Sequence, residues 1–264
     1  MATQRPRLIQ ALLLILMMWS PSKKVWAHMD LTVSGKLRTY PLSGTVDLEW
    51  GKGLVLWGNP GAGNSSKSPW YGYTRGALTL STAGVYNGAL VEWEVYPISF
   101  LGVKAGGEAY NNSRDYTAYD CEAYRCQGDF MSHFVEGRLG LGAGPLFLFA
   151  GYRQTDLSPK VEGDDYVEPF SGLVANGVRD RLIMARSALG VKFNERWAFS
   201  VMGIYLEMLE NSTFSRTYTG QIHYSKSNWT VIFGGGQFES ALKAPGLTIN
   251  GVVKWDIIPG IGLL

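Results

Sequence analysis

One short segment of the chain brings together residue types that could act in nucleophilic catalysis. In Ile222-His223-Tyr224-Ser225 an imidazole and a hydroxyl stand two positions apart, so on a β-strand both side chains share one face. A histidine within hydrogen-bond reach of a serine is the minimum for an activated serine nucleophile, and a third, acidic group could orient the base.

The same four residues are similar to the His-x-Ser site of the outer-membrane lipid A deacylases, which are barrels with a histidine, a serine and a downstream glutamate. That resemblance implies His223 as the base, Ser225 as the nucleophile and Glu239 as a possible orienting acid. The chain departs from the family directly afterwards, with Lys226-Ser227-Asn228 in place of Asn-Ala-Gly. The ordinary interpretation is a polar strand facing a barrel interior, and on it no catalytic residue is assigned.

Cysteines and acidic residues offer the other candidate sites. Cys121 and Cys126 are the only cysteines, and two cysteines in an exported chain predict a disulfide. The alternative is a metal site that also uses nearby acids (Asp115, Asp120, Glu122, Asp129). The segment 155–180 is acidic but lacks the EF-hand spacing. We predict a disulfide, a solvated external loop at 155–180, and no metal or cofactor.

The elements that position these residues alternate apolar with polar or small side chains. In 182–193 one face carries Ile183, Leu189 and Val191, and the other carries Arg186 and Lys192. Period two predicts a strand with unlike environments on its two faces. The pattern predicts about twelve strands, at 31–40, 45–57, 71–82, 85–96, 100–111, 130–141, 146–154, 181–193, 197–209, 217–225, 229–238 and 247–257.

The N-terminus has the features of a secretory signal. Arg5 and Arg7 precede an apolar run, 8–19, which is too short for a bilayer that needs roughly 20 residues, and Val25-Trp26-Ala27 provides a cleavage site. We expect a cleaved signal peptide at 1–27 and one domain at 28–264. Charged residues make up only 17 % of the chain, and the net charge of +2 does not favour a nucleic-acid partner.

The predicted connections alternate in length, with tight turns after Tyr96, Leu141, Phe193 and Ser225 and longer loops after Asn111, Gln154, Leu209 and Phe238. Short periplasmic turns and longer external loops are typical of outer-membrane barrels. The long connection 59–69 leaves ten strands possible. Nearly the whole chain after the signal resembles the Gram-negative outer-membrane β-barrel proteins in plan. The competing interpretation is a soluble sandwich or a lipocalin-type barrel, which places apolar residues inside.

If the apolar face is outward, a set of charged residues of nearly balanced sign faces the lumen. Its members are Lys36, Arg38, Asp47, Glu49, Glu92, Glu94, Lys104, Glu108, Glu136, Arg138, Arg153, Arg186, Lys192, Lys254 and Asp256. They could pair across a narrow interior and fill it, or they could line a pore and filter solutes. We expect a narrow or largely occupied lumen.

The sequence thus predicts an all-β, antiparallel, up-and-down transmembrane barrel of the outer membrane, without enzymatic activity. Its expected role is passive transport or that of a structural and surface-interaction barrel, and the alternative is a lipid-modifying acyl hydrolase that uses His223 and Ser225. The expected partners are outer-membrane lipid, lipopolysaccharide and the barrel-assembly machinery. The oligomeric state stays open.

Overall fold

Twelve long strands form a closed barrel in the computed structural model, which describes residues 27–40, 42–58, 70–115, 120–168 and 171–259. The strands are β1 (Ala27–Thr39), β2 (Leu42–Gly58), β3 (Tyr71–Thr82), β4 (Tyr86–Ile98), β5 (Leu101–Asn112), β6 (Gly128–Ala143), β7 (Leu146–Pro159), β8 (Tyr166–Val167), β9 (Val174–Ala175), β10 (Asp180–Lys192), β11 (Trp197–Met208), β12 (Thr213–Lys226), β13 (Trp229–Ser240) and β14 (Lys243–Ile258). Wall strands pair antiparallel with their neighbours, β1 pairs with β14, and β8 pairs with β9 apart from the wall. The prediction of about twelve strands is confirmed.

The wall of the barrel is apolar outside and charged inside, as β4 shows. Val91 and Trp93 are 62 % and 61 % exposed, whereas the alternating Glu92 and Glu94 are 6 % and 7 % exposed. A soluble barrel has the opposite arrangement. The chain is therefore a β-barrel of the outer-membrane type, in which lipid contacts the apolar face.

Aromatic side chains gather at one end of this wall. Trp229 stacks on Trp255 with 5.3 Å between ring centroids, and Trp197 packs against Tyr224 at 4.7 Å. All four residues lie within three residues of the ends of their strands. Trp and Tyr are enriched where a membrane-spanning segment meets water, so these residues mark one membrane interface.

The two ends of the barrel differ in their connections. At the short-turn end the turns 99–100, 144–145, 193–196 and 227–228 are tight, and β2 ends and β3 begins at the same end. At the long-loop end two connections are long, 113–127 and 160–179. The prediction of long loops after Leu209 and Phe238 is wrong: those connections are 209–212 and 241–242, because β12 already starts at Thr213 and β13 continues to Ser240.

The predicted signal peptide lies almost wholly outside the described residues, as do residues 260–264. β1 begins at Ala27, so the expected cleavage point before His28 falls at the start of the first strand. Among the described residues, no helix is long and apolar enough to cross a membrane.

A hairpin from the connection 160–179 folds into the lumen at the long-loop end. We call residues 165–168 and 171–176, which include β8 and β9, the plug. Tyr166, Leu173 and Ala175 are fully buried in a cluster with inward-facing wall residues such as Phe130, and the Tyr166 and Phe130 ring centroids are 4.6 Å apart. Thr213 of β12 also donates a hydrogen bond to the Val174 carbonyl at 3.0 Å. The plug occupies this mouth of the barrel.

The plug corrects the prediction of a wholly solvated acidic loop at 155–180. Glu162 and Asp164 are exposed, but Glu168 is buried and accepts a hydrogen bond from the Ser171 backbone at 2.6 Å. Asp156 lies in β7, which runs on to Pro159, and Asp165 accepts from the Gly177 backbone at 3.1 Å. Only part of the segment is a surface loop, because its apolar residues 173–175 are buried against apolar side chains of the barrel wall.

The predicted disulfide between Cys121 and Cys126 is present and stands beside the plug. Arg125, next to Cys126, accepts a backbone hydrogen bond from Val167 at 3.0 Å and donates one to Asp165 at 2.9 Å. Its side chain donates to the Val161 carbonyl at 2.7 Å. Asp115 is close to both sulfurs, but bonded cysteines are not thiolate ligands. The pair thus rigidifies the loop that holds the plug.

We expect loss of the disulfide to loosen the plug without disturbing the barrel. In the double variant Cys121→Ser, Cys126→Ser, the small loop that presents Arg125 gains conformational freedom. Hydrogen exchange measured by mass spectrometry should become several-fold faster in 165–176 and stay unchanged in β11–β13. Equal exchange in the plug of both proteins would show that Arg125 is held by other contacts.

Candidate functional site

Charged side chains of eight wall strands, β1–β7 and β10, form a buried ion-pair network inside the barrel, and Arg75 of β3 is its first centre. Its Nε donates to Asp30 of β1 at 2.9 Å, and its Nη1 donates to Glu94 of β4 at 3.4 Å. It also forms an ion pair with Glu49 of β2. One guanidinium therefore joins four consecutive strands.

Glu136 of β6 is the second centre, and here basic groups surround one acid, whereas acids surround the basic Arg75. Its carboxylate has no solvent exposure and accepts hydrogen bonds from three arginines. Arg138 Nε donates at 2.7 Å, Arg153 Nη2 of β7 donates at 2.6 Å, and Arg186 Nη2 of β10 donates as well. One carboxylate here is shared by three guanidinium groups.

Lys104 and Arg138 connect the two centres. Lys104 of β5 pairs with Glu92 and stands 3.8 Å from Glu94, and Arg138 also stands 3.8 Å from Glu94. The network contains five carboxylates and five basic groups, but acids surround Arg75 whereas arginines surround Glu136. The lumen is balanced as a whole and polarised locally.

The other lumen residues that the sequence predicts stand outside this network. Asp47 pairs with Lys36 at 2.7 Å, Asp256 pairs with Lys254 at 3.0 Å, and Glu108 accepts from the Tyr86 hydroxyl at 2.6 Å. Arg38 lies over the Phe238 ring, with 5.6 Å to its centroid. Lys192 is exposed at the last position of β10.

A polar cavity of about 440 Å³ opens beside the Arg75 centre toward the short-turn end. It is lined by charged groups that include Asp30, Arg75, Lys104 and Asp256. Tyr73 and Tyr96 also line it, but their rings stack on each other at 4.6 Å and are buried. The cavity can therefore hold water and ions, and its tyrosines do not offer open faces for stacking.

Arg75 and Asp30 are central to the site and are absent from the predicted lumen set. Asp30 lies one residue before the predicted start of the first strand, whereas β1 begins at Ala27. Arg75 shares the inward face of β3 with Tyr71, Tyr73 and Ala77, so the apolar residues of that strand do not all lie on the lipid side. Only the alternation of Leu78 and Leu80 with Thr79 and Ser81 would have placed Arg75 inward.

His223 lies inside the barrel, as the alternation of β12 predicts, but it bonds a different serine. Its Nε2 is 2.7 Å from Ser200 Oγ of β11, whereas Ser225 Oγ lies 3.4 Å from Thr230 Oγ1. The pairing partner of His223 on β13 is Ile232. Glu239 is seven residues further along, roughly 23 Å away at the rise of a strand, and faces outward next to the inward Phe238. These three residues do not come together.

Comparison with known proteins gives similarity in solved structures only. No protein-family model matches the chain, and no curated protein matches it. Its structure is similar to the KdgM porin (TM-score 0.44, 9 % identity, 86 % of this chain and 98 % of that one) and to the NanC porin (0.44, 12 %, 85 % and 98 %). The outer-membrane expressed OmpT of Vibrio cholerae is also similar (0.45, 9 %, 90 % and 99 %). Similarity at this level says nothing about the solute of this chain.

Replacing Glu136 should destabilise the barrel strongly. Glu136→Gln leaves three guanidinium groups without their shared carboxylate, and removing one partner of a buried ion pair costs about 3–5 kcal/mol. Urea unfolding of the protein in lipid vesicles, followed by tryptophan fluorescence, measures the loss. The matched control is Glu49→Gln, which leaves Arg75 with Asp30 and Glu94 and should cost less than about 1 kcal/mol. Equal losses would contradict the distinction between the two centres.

The acyl hydrolase alternative can be tested directly. Because Glu239 is remote from His223 and Ser225 does not bond it, we expect Ser225→Ala to leave the lipid A composition of the producing cells unchanged in mass spectra. Ser200→Ala, which removes the actual partner of His223, should also leave it unchanged. A changed acylation pattern in either variant would restore the catalytic interpretation.

Proposed function

We propose that this protein is a passive channel of the outer membrane for small hydrophilic solutes, closed at one mouth by its plug. The observation that carries the proposal is the polar cavity of about 440 Å³ inside a closed barrel. Protein cavities of roughly 300–1,000 Å³ hold small molecules. Charged lining residues favour hydrophilic solutes, which either keep their hydration shell in the cavity or replace it by ion pairs with the lining side chains.

The plug is not part of the barrel wall, and this favours a plug that can move out of the mouth rather than one that blocks it permanently. β7 and β10, which the plug connects, pair directly with each other from Asp180↔Leu157 to Val191↔Leu146. The barrel is thus complete without β8 and β9. In the described part of the plug, β8 and β9 share two ladder pairs, and Glu168 forms backbone hydrogen bonds with Gly172 and Leu173. So small a hairpin also depends on its contacts with the wall and with Arg125.

The direction of insertion follows from the two ends. One end has interfacial aromatics and tight turns at four of its five connections, the exception being 59–70, and the other end has the two longest connections, 113–127 and 160–179. This difference corresponds to the periplasmic and external sides of outer-membrane barrels. In this setting lipid and lipopolysaccharide contact the apolar band, and the barrel-assembly machinery inserts the chain. The plug then closes the external mouth, and the cavity opens to the periplasm.

Removing the plug should open the channel. We expect planar-bilayer recordings of a variant with 161–178 replaced by a short Gly-Ser turn to show larger and more frequent conductance steps than the unaltered protein. Leu173→Asp should act in the same direction, because it places a charge in the fully buried apolar cluster. The matched control is Val178→Asp, an exposed position of the same connection, which should leave conductance unchanged.

Two results would contradict the channel. If the plug-free barrel folds, as shown by heat-modifiable migration on a gel, and conducts nothing, the ion-pair network seals the lumen. If Val178→Asp and Leu173→Asp open it equally, burial of the plug does not control the pore.

A further inference from the structure

The arginines around Glu136 carry more positive charge than their shared partner can neutralise. One carboxylate, that of Glu136, forms ion pairs with Arg138, Arg153 and Arg186. Of these three arginines, Arg138 alone is also near Glu94, at 3.8 Å. Glu94 in turn is shared with Arg75 and Lys104. Arginine does not deprotonate in proteins. The positive charge of these arginines is therefore offset only at a distance, by the acids around Arg75, and a bound anion would offset it directly.

The hydrogen-bonding capacity of the cluster is equally one-sided. Each guanidinium has about five N–H donors, and Glu136 takes only one or two from each arginine. The two oxygens of Glu136 already accept five hydrogen bonds. The Nε of Arg186 is buried and has no partner. Unused donors remain on the arginines, and the carboxylate is saturated.

Two of these guanidinium groups are held in place by aromatic rings. Arg153 lies 4.0 Å above the Phe134 centroid, and Arg186 lies 5.2 Å from that of Phe149. Gly151 leaves room for Arg186, since a Cβ there would lie 3.1 Å from its Nε. Side chains fixed in this way lose little conformational entropy when they bind a ligand.

The cluster is accessible from the lumen. Glu108 of β5 also attracts Arg153 electrostatically, but its carboxylate accepts a hydrogen bond from the Tyr86 hydroxyl. About a quarter of the Arg153 and Arg186 side chains, 26 % and 27 %, is exposed. The strands β11, β12 and β13, which the structure describes in full, carry no charged residue on their inward faces, where Ser200, Thr219 and Gln221 are typical.

We propose that Arg138, Arg153 and Arg186 form a binding site for a small oxyanion, a carboxylate or a phosphate, that offsets the local excess of positive charge. Planar guanidinium groups match both anions with paired hydrogen bonds. The site rests on the proposed channel and refines it, because it makes small oxyanions the favoured solutes.

Equilibrium binding tests the site separately from conductance. Folded protein in detergent is titrated calorimetrically with inorganic phosphate and, in a second series, with acetate, in both the unaltered and the plug-free form. We expect Arg186→Gln, and independently Arg153→Gln, to weaken binding about tenfold through the loss of charge-assisted hydrogen bonds. Heat-modifiable migration confirms that each variant is folded.

The matched control is Lys192→Gln, which removes the same charge from the inward face of the same strand but has no contact with Glu136. It should bind within twofold of the unaltered protein. Equal weakening in Lys192→Gln and Arg186→Gln, or no binding by the plug-free barrel, would overturn the site. Binding without conductance would keep the site and overturn the channel, and conductance without binding would do the reverse. Stronger binding of phosphate or of acetate decides which oxyanion the site prefers.

Discussion

Charge pairing inside the barrel is the interaction on which the rest of this structure depends. Glu136 has no contact with solvent, and a carboxylate removed from water is stable only when cations and hydrogen bonds surround it. Because its three arginines come from β6, β7 and β10, that requirement fixes how these strands face one another. The Arg75 centre does the same for β1–β4. The apolar band outside can then meet lipid without exposing any of these charges.

Sequence alternation predicts the wall well and its interior less well. Val91, Trp93 and Val95 against Glu92 and Glu94 predict the strand, its two faces and the inward charges. The plug is not predictable in this way, since residues 173–175 form an apolar run too short to show a period. Its burial depends on Phe130 and Leu157, which lie inward at the long-loop end. Only the closed barrel brings those residues together.

The acyl hydrolase alternative also shows that sequence alternation predicts the face of a strand but not the contacts between strands. A strand places His223 and Ser225 on one face, which the sequence predicts and the alternation of β12 shows. Which hydroxyl the imidazole bonds depends on the register between β11 and β12, where Ala198 pairs with His223 and brings Ser200 within 2.7 Å. Register follows from the pairing of whole strands, and a motif of four residues does not contain it.

The plug and the ion-pair network both fill part of the lumen, but through physically different interactions. The plug occupies one mouth by apolar packing of Leu173 and Tyr166 against the wall, and apolar side chains offer neither charge nor hydrogen bonds to an ion. The ion-pair network narrows the lumen with charges that remain hydrated in part, as the exposed edges of Arg153 and Arg186 show. Apolar packing does not distinguish ions by the sign of their charge, whereas a network with separate acidic and basic centres does. In the proposed channel, with the plug at the external mouth and the ion-pair network below it, the control of opening is separate from the choice of solute.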